Sequence, residues 1–312
     1  MSDRQWTVSP DEAGVRLDTF LAAADRLGSR ARATAALDRG KIFLNGVEAA
    51  TVDAAMHLSP GDSVRVWMDR PGSARRGRPG AARDLDILYE DEALIVLNKP
   101  SGLLVVPLER RSDAPSVWEQ IERHLRSRGK RRPLVVHRID RDTSGLVVFA
   151  KLAAAQQRLK EQFKRHEAER VYWAIVYGHP RPTAGAWRDR IVWDRRALLQ
   201  KPAQASDPRA MEATSDYRVL ETFRDASLIE VQLVTGKRNQ IRIQARLHGH
   251  PLVGERRYVA GLEPHRPVAF GRQALHAYRL GFRHPVDGRA LQFEAPLPAD
   301  LAELLARVRG GT

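Results

Sequence analysis

Leu134-Val135-Val136-His137-Arg138-Ile139-Asp140-Arg141-Asp142-Thr143-Ser144-Gly145-Leu146-Val147-Val148-Phe149-Ala150-Lys151 places two apolar runs around a polar core. Each run is short enough for a buried strand, and Gly145 reads as the turn that closes the polar segment. Rigid strand ends fix what a loop presents, so carboxylates and guanidinium groups side by side on such a loop suit chemistry. Taken by itself, the pattern also describes a surface hairpin with solvated charges.

His137-Arg138-Ile139-Asp140, then Thr143-Ser144-Gly145-Leu146 and Phe149-Ala150-Lys151, resembles the signature of the RluA-type pseudouridine synthases. The resemblance implies that Asp140 is the catalytic residue. On residue type alone Asp142 competes with it, and only the family register separates them. Asp142 is expected to be a loop-stabilising acceptor for local backbone or Arg groups.

Upstream, Leu85 to Leu88 and Ala93 to Leu97 read as strands, and Asn98-Lys99-Pro100-Ser101-Gly102 again resembles the family, although Val106 stands where His is expected. A helix is expected around Ser116 to Leu125. Arg123 to Arg132 holds six Arg or Lys in ten positions, a density that repels itself unless a polyanion lies against it. Arg128, Lys130, Arg131 and Arg132 are therefore expected to touch RNA.

Downstream, a helix from Gln156 to about His166 leads into an alternating strand, Arg170 to Gly178. The resemblance makes Tyr172 the active-site tyrosine, packing on the target ring; the residues alone allow a core aromatic. Residues 179–210 read as irregular excursions. Strands Thr214 to Leu220 and Ser227 to Val234 run into Thr235-Gly236-Lys237-Arg238-Asn239-Gln240-Ile241-Arg242-Ile243-Gln244, which resembles the family's third motif. Lys237, Arg238, Asn239 and Gln244 depart from that motif, while Arg242 is retained as the implied partner of Asp140. Lys237 and Arg238 join the expected RNA contacts. His248 and His250 sit two apart without a supporting carboxylate or Cys, a poor metal pair. Closing strands and a helix from Ala299 to Val308 end the chain.

The first 70 residues hold two short helices and small strands, with an Asn45-Gly46 turn and Pro60-Gly61-Asp62 before a strand at Val64 to Trp67. They resemble an S4 RNA-binding domain. Nine basic and ten acidic side chains leave this segment near neutral, so its positive charge is local: Arg26, Arg30, Arg32, Arg39 and Lys41. Such a face suits recognition of an RNA backbone, with Arg30, Arg32, Arg39 and Lys41 as contacts. Residues 71–83 carry four Arg and no acid among Gly and Pro, as a linker does.

Together these readings give an α+β chain: an S4-like domain over 1–70, a linker over 71–83, and a synthase domain over 84–312 with a mixed, largely antiparallel sheet and flanking helices. At 312 residues the length suits two domains, and the 43% hydrophobic content suffices for a core. Net charge is +14, and only eight of 52 basic residues are Lys. An Arg-dominated surface suits phosphate, hence nucleic acid. No Cys is present, which excludes disulfides and thiolate metal sites. No signal pattern or bilayer-length apolar run is seen, so a soluble, cytoplasmic monomer without cofactor, metal or membrane partner is expected.

The implied reaction isomerises uridine to pseudouridine in structured RNA, ribosomal ahead of transfer RNA by analogy with S4-bearing synthases. A stacked uridine must be flipped out, and Arg138 is placed to fill the gap. The alternative is an RNA-binding or ribosome-assembly factor that lost turnover, suggested by the altered third motif. A carboxylate-pair glycosidase would need a second acid at defined separation and leaves the basic charge unexplained.

Overall fold

The chain divides into two units, Met1–Arg83 and Asp84–Thr312. The computed structural model describes residues 4–38, 40–49, 51–68, 85–107, 115–126, 132–195, 197, 199–204, 206–258 and 268–310. The expected linker and the expected RNA contacts Arg39, Arg128, Lys130 and Arg131 lie outside the described residues.

In the first unit, strand β1 (Arg4–Thr7) precedes helices α1 (Leu17–Leu21) and α2 (Arg30–Asp38), then β2 (Ile42–Leu44), β3 (Val47–Glu48) and β4 (Ser63–Val66). The strands pair antiparallel in the order β1-β4-β2-β3. Leu17, Phe20 and Leu21 recur at helical spacing and are buried with Leu37, Ile42 and Val64. Ser29 caps α2 by accepting the Arg32 N–H at 3.2 Å. Asn45 and Gly46, at φ 51° and 78°, turn β2 into β3.

The basic face is smaller than the sequence suggests. Arg26 folds inward: its guanidinium lies 3.4 Å from the Phe20 ring centroid and donates to the Phe20 carbonyl and to Glu12. Stacking on an aromatic face and pairing with a carboxylate both favour this inward position. Arg30 and Arg32 stay exposed, with Arg30 donating to Thr19 Oγ1 at 2.9 Å. The Lys41 ammonium donates to the Met68 carbonyl.

The second unit runs β5 (Ile87–Glu90), β6 (Leu94–Lys99), α3 (Val117–Arg126), β7 (Leu134–Val135), β8 (Ser144–Ala150), α4 (Ala153–Lys164), β9 (Glu169–Tyr177), β10 (Ala184–Asp194), β11 (Leu199–Pro202), β12 (Met211–Thr222), β13 (Ala226–Leu233), α5 (Gln240–Leu247), β14 (Leu275–Arg283), β15 (Ala290–Glu294) and α6 (Ala299–Arg309). Its mixed sheet has the order β11-β10-β12-β13-β9-β14-β8-β6-β5, with β15 beside β14 and β7 beside β8. Among the described strand pairs of this sheet, only β8–β14 is parallel.

Side-chain alternation sends Ile95, Leu97, Val147 and Phe149 to one face of the sheet, against Ile121 and Leu125 of α3 and in one core with Ile241 and Ala245 of α5. Leu94, Val96, Leu146 and Val148 point the other way, toward Leu159 of α4. Burial on both faces explains why β6 and β8 read as continuous apolar runs. Among the described residues no helix is long and apolar enough to cross a membrane.

Two expectations are corrected. Residues 179–210 are not merely irregular, because they hold β10 and β11 at the edge of the sheet. Gly145 is no turn: it lies within β8, paired with Lys99 and Ala277, at φ +109°. A Cβ on Gly145 would stand 2.2 Å from the Ala277 carbonyl oxygen. Only a residue without a side chain permits that approach, which places the start of β8 against β14. Gly145→Ala should therefore lower the unfolding free energy by about 2–4 kcal/mol, as strain and overpacking combine. Denaturant midpoints with an unchanged m-value would measure this, and a loss under about 1 kcal/mol would contradict it.

Candidate active site

The segment between β7 and β8 alternates inward anchors with outward groups. Ile139 is buried, and His137 stacks on Phe163 of α4 at 4.6 Å while its Nε2 accepts the Val148 N–H at 3.2 Å. Burial, with the Arg170 charge adding to it, pushes the His137 pKa down to about 3, so the ring is neutral and structural. Between and beyond these anchors, Arg138 and Asp140 face an open cavity of about 690 Å³.

Lys99, at the end of β6, is fully buried and donates to the carbonyls of Pro100, Leu103 and Arg141, each at 2.8 Å. Burial draws its pKa down to about 7 against the opposing charges of Asp142 and Asp140. Three carbonyl acceptors match the three N–H groups of an ammonium, so we take it as charged near neutrality. From the other side Arg272 donates to the Asp142 carbonyl at 3.1 Å and pairs with Asp300. These bonds tie down the loop immediately after Asp140, while buried Ile139 and the stacked His137 anchor it before. Asp142 itself accepts from the exposed Arg141 side chain at 3.1 Å.

Arg242 lies on α5, and its Nη1 donates to Asp140 Oδ2 at 2.9 Å. Its Nε and Nη2 donate to Glu255 Oε2 and Oε1, both at 2.7 Å. That fork fixes the guanidinium and leaves one edge for Asp140. Burial works against the Arg242 charge, but the Glu255 bonds and charge, then those of Asp140, raise its pKa above the ordinary value. Burial likewise works against Glu255, yet Arg242 and the N–H groups of Arg257 and Arg256 hold its carboxyl below the ordinary range. Asn239 Nδ2 is a second donor to Asp140 Oδ2, at 2.6 Å.

Tyr172 of β9 lines the same cavity and is 8% exposed. Burial, with the Asp140 charge adding and Arg170 opposing, pushes its hydroxyl up to about 12, so it remains a neutral phenol. Arg170 is buried beneath the cavity and donates to the carbonyls of Leu233 and Val234. Gly236 leaves it room, since a Cβ there would lie 2.3 Å from Arg170 Nη1.

Arg138, Lys237 and Arg238 also line the cavity, so of the sequence-derived residues it unites them with Asp140, Tyr172 and Arg242. Arg238 lies 4.0 Å over the Trp193 ring of β10. Its pKa is lowered by partial burial and then by the Arg138 charge, with the Asp140 charge opposing. Arg132 is exposed on an adjacent cavity that shares Val136, His137 and Arg138 with this one. Arg30, Arg32 and Lys41 belong to the other unit.

Glu255, Asn239 and Lys99 were not assigned roles from sequence. The altered third motif is well accommodated: Gln244 Oε1 accepts from Ser215 Oγ at 2.7 Å, and its Nε2 reaches Asp189, Ala213 and Trp187 acceptors. His248 stacks on Trp187 and contacts Asp189, while His250 Nδ1 lies 3.0 Å from the Tyr177 carbonyl oxygen. Among the described residues no group of three or more His, Asp or Glu could hold a metal ion.

A carboxylate with one oxygen clamped and the other open to a basic-rimmed cavity can act as nucleophile or base toward an anionic polymer. Residues 93–247 match the family described as RNA pseudouridylate synthase. An uncharacterized RNA pseudouridine synthase of Bacillus subtilis is 36% identical, covering 97% of both chains. Ribosomal large subunit pseudouridine synthase D of Zymomonas mobilis is 36% identical over 96% of both, and that of Escherichia coli K12 is 33% identical over 97% of this chain and 93% of its own. The solved structure of human RNA pseudouridylate synthase domain containing 4 shares the fold, with TM-score 0.59 and 23% identity over 72% of this chain and 92% of its own.

Proposed function

Because the chain belongs to the RNA pseudouridine synthase family, and so is an RNA uridine isomerase, we propose that it acts on large-subunit ribosomal RNA with Asp140 as the catalytic residue. The observation that carries this reading is the Asp140–Arg242 pair at 2.9 Å on the wall of the cavity that also contains Tyr172. The ribosomal substrate rests on the names of the relatives.

In the reaction the N1–C1′ bond breaks, the uracil turns, and a C5–C1′ bond forms. The C5 proton leaves to solvent and N1 gains one, so atoms and electrons balance without a co-reactant. Asp140 either attacks C1′ or removes the C2′ proton that lets the base depart; both need an ionised carboxylate. Partial burial disfavours a lone carboxylate, and Arg242 offsets that cost by pairing with it.

The uridine has to leave its helix to reach Asp140, whose side chain is 25% exposed. Arg138, exposed at the cavity rim, fills the vacated stack, and Tyr172 packs on the flipped ring. Lys237, Arg238 and Arg132 supply phosphate contacts. Residues 1–70 serve as an S4-type RNA-binding module through exposed Arg30 and Arg32, followed by the Arg-rich linker 71–83.

The test is incubation with ribosomal RNA from cells lacking the gene, followed by mapping of pseudouridine. New pseudouridine in large-subunit RNA is expected at discrete positions. RNA binding without any new pseudouridine would instead favour the assembly-factor reading.

A further inference from the structure

The two oxygens of Asp140 are held unequally. Oδ2 accepts from Arg242 Nη1 at 2.9 Å and from Asn239 Nδ2 at 2.6 Å, while Oδ1 receives no donor among the described residues. A single contact would let the carboxylate pivot about it. A second donor from a different side chain removes that freedom and fixes the carboxylate plane.

The direction of the Asn239 amide follows from its other neighbour. Tyr258 is buried, and its hydroxyl accepts the Gln200 backbone N–H at 3.1 Å. Its own hydrogen is then available to Asn239 Oδ1, 3.4 Å away. With Oδ1 of the amide turned to Tyr258, Nδ2 must face Asp140. Asn239 also sits at φ 54°, ψ 23°, just before α5, a left-handed conformation that Asn and Gly adopt far more readily than other residues.

We propose that Asn239, oriented by Tyr258, is a positioning residue that ties down Oδ2 of Asp140 so that Oδ1 alone is presented to the ribose. This deepens the proposed function and rests on Asp140 being the reacting carboxylate. A hydrogen-bond relay then runs from Gln200 on β11 through Tyr258 and Asn239 to the reacting group. It gives the β10–β11 edge, which holds no reacting atom, a direct hold on the chemistry.

The deletion variant is Asn239→Gly, since glycine keeps the left-handed backbone whereas alanine would add strain of its own. In single-turnover reactions on in-vitro-transcribed large-subunit ribosomal RNA, with the full chain in excess, the rate should fall about 10- to 100-fold. RNA affinity should stay within about twofold of the unaltered chain. Tyr258→Phe frees the amide to rotate and should cost about 3- to 10-fold.

Asn239→Asp is nearly isosteric and keeps the test available should glycine loosen the loop. It sets a second carboxylate against Oδ2, so the acid limb of the pH–rate profile should move up by about one pH unit or more. The other groups that face Asp140, namely Arg242 of α5, Arg238 beside it, Lys99 of β6 and Tyr172 of β9, are common to both proteins. A merely structural defect would lower the rate without displacing that limb.

Asp140→Asn is run in parallel. If it is inactive while Asn239→Gly stays within about twofold and the Asn239→Asp limb does not move, the positioning role is overturned and the proposed function stands. If Asp140→Asn keeps the full rate, the function reading fails and takes this inference with it.

Discussion

Asp140→Asn is expected to abolish pseudouridine formation, by about a thousandfold or more, while RNA affinity stays within about threefold. An amide is no nucleophile or base at neutral pH. The substitution should nonetheless leave the fold intact, because Asp140 Oδ2 already receives two donors, Arg242 Nη1 and Asn239 Nδ2. The amide can turn its oxygen toward both and place its nitrogen where Oδ1 stood. Arg242 also keeps its fork on Glu255, so no buried charge is stranded. Loss of stability should be about 1 kcal/mol. Gel shifts and site-specific detection of pseudouridine on the same samples separate binding from turnover, and equal product from both proteins would remove Asp140 from the chemistry.

Arg242→Met should be damaging twice over. Asp140 loses its cationic partner, and product formation should fall at least about a hundredfold. Glu255, whose side chain is 1% exposed, is left without a cation, at a cost of about 3–5 kcal/mol in folding stability at neutral pH. The pH dependence fixes the cause. In the unaltered chain Arg242 overcomes the effect of burial and holds the Glu255 carboxyl below its ordinary range. That contribution to stability is present above the unfolded-state pKa and lost as pH falls through the lower folded-state value. Without Arg242, burial is opposed chiefly by the two backbone N–H groups of Arg256 and Arg257, and the folded-state pKa rises above the unfolded one. The carboxyl then destabilises the variant above about pH 4.5, with relief as it protonates in acid. Denaturation at pH 7.5 and pH 5 should show the gap between the two proteins narrowing in acid; a constant gap would point to lost packing instead.

Much of the site could be read before any coordinates. The run from Leu134 to Lys151 yields two strand pieces and a charged loop, as its apolar flanks suggest, and Arg242 meets Asp140 across a sequence separation of 102 positions. What escaped the sequence shares a physical reason. Glu255 stands among Gly254, Arg256 and Arg257, where a carboxylate reads as solvated, and only the tertiary fold buries it against Arg242. Asn239 looked like a departure from a motif, yet its left-handed backbone and short amide are what reach Asp140. The β10 strand reads as irregular chain in the sequence because it lies near the edge of the sheet, where only Trp187 and Ile191 are buried among charged neighbours. Gly145 suggested a turn, whereas it is the absence of its side chain inside β8 that allows β14 to approach. In each case local composition was outweighed by a contact distant in sequence.

The most direct measurement of the whole account is release of tritium to water from large-subunit ribosomal RNA transcribed with uridine labelled at C5. Isomerisation through C5–C1′ bond formation must expel that hydrogen, so the unaltered chain should release tritium in an amount equal to the pseudouridine found in the same RNA. RNA bound tightly by the folded chain, with no tritium released, would contradict it.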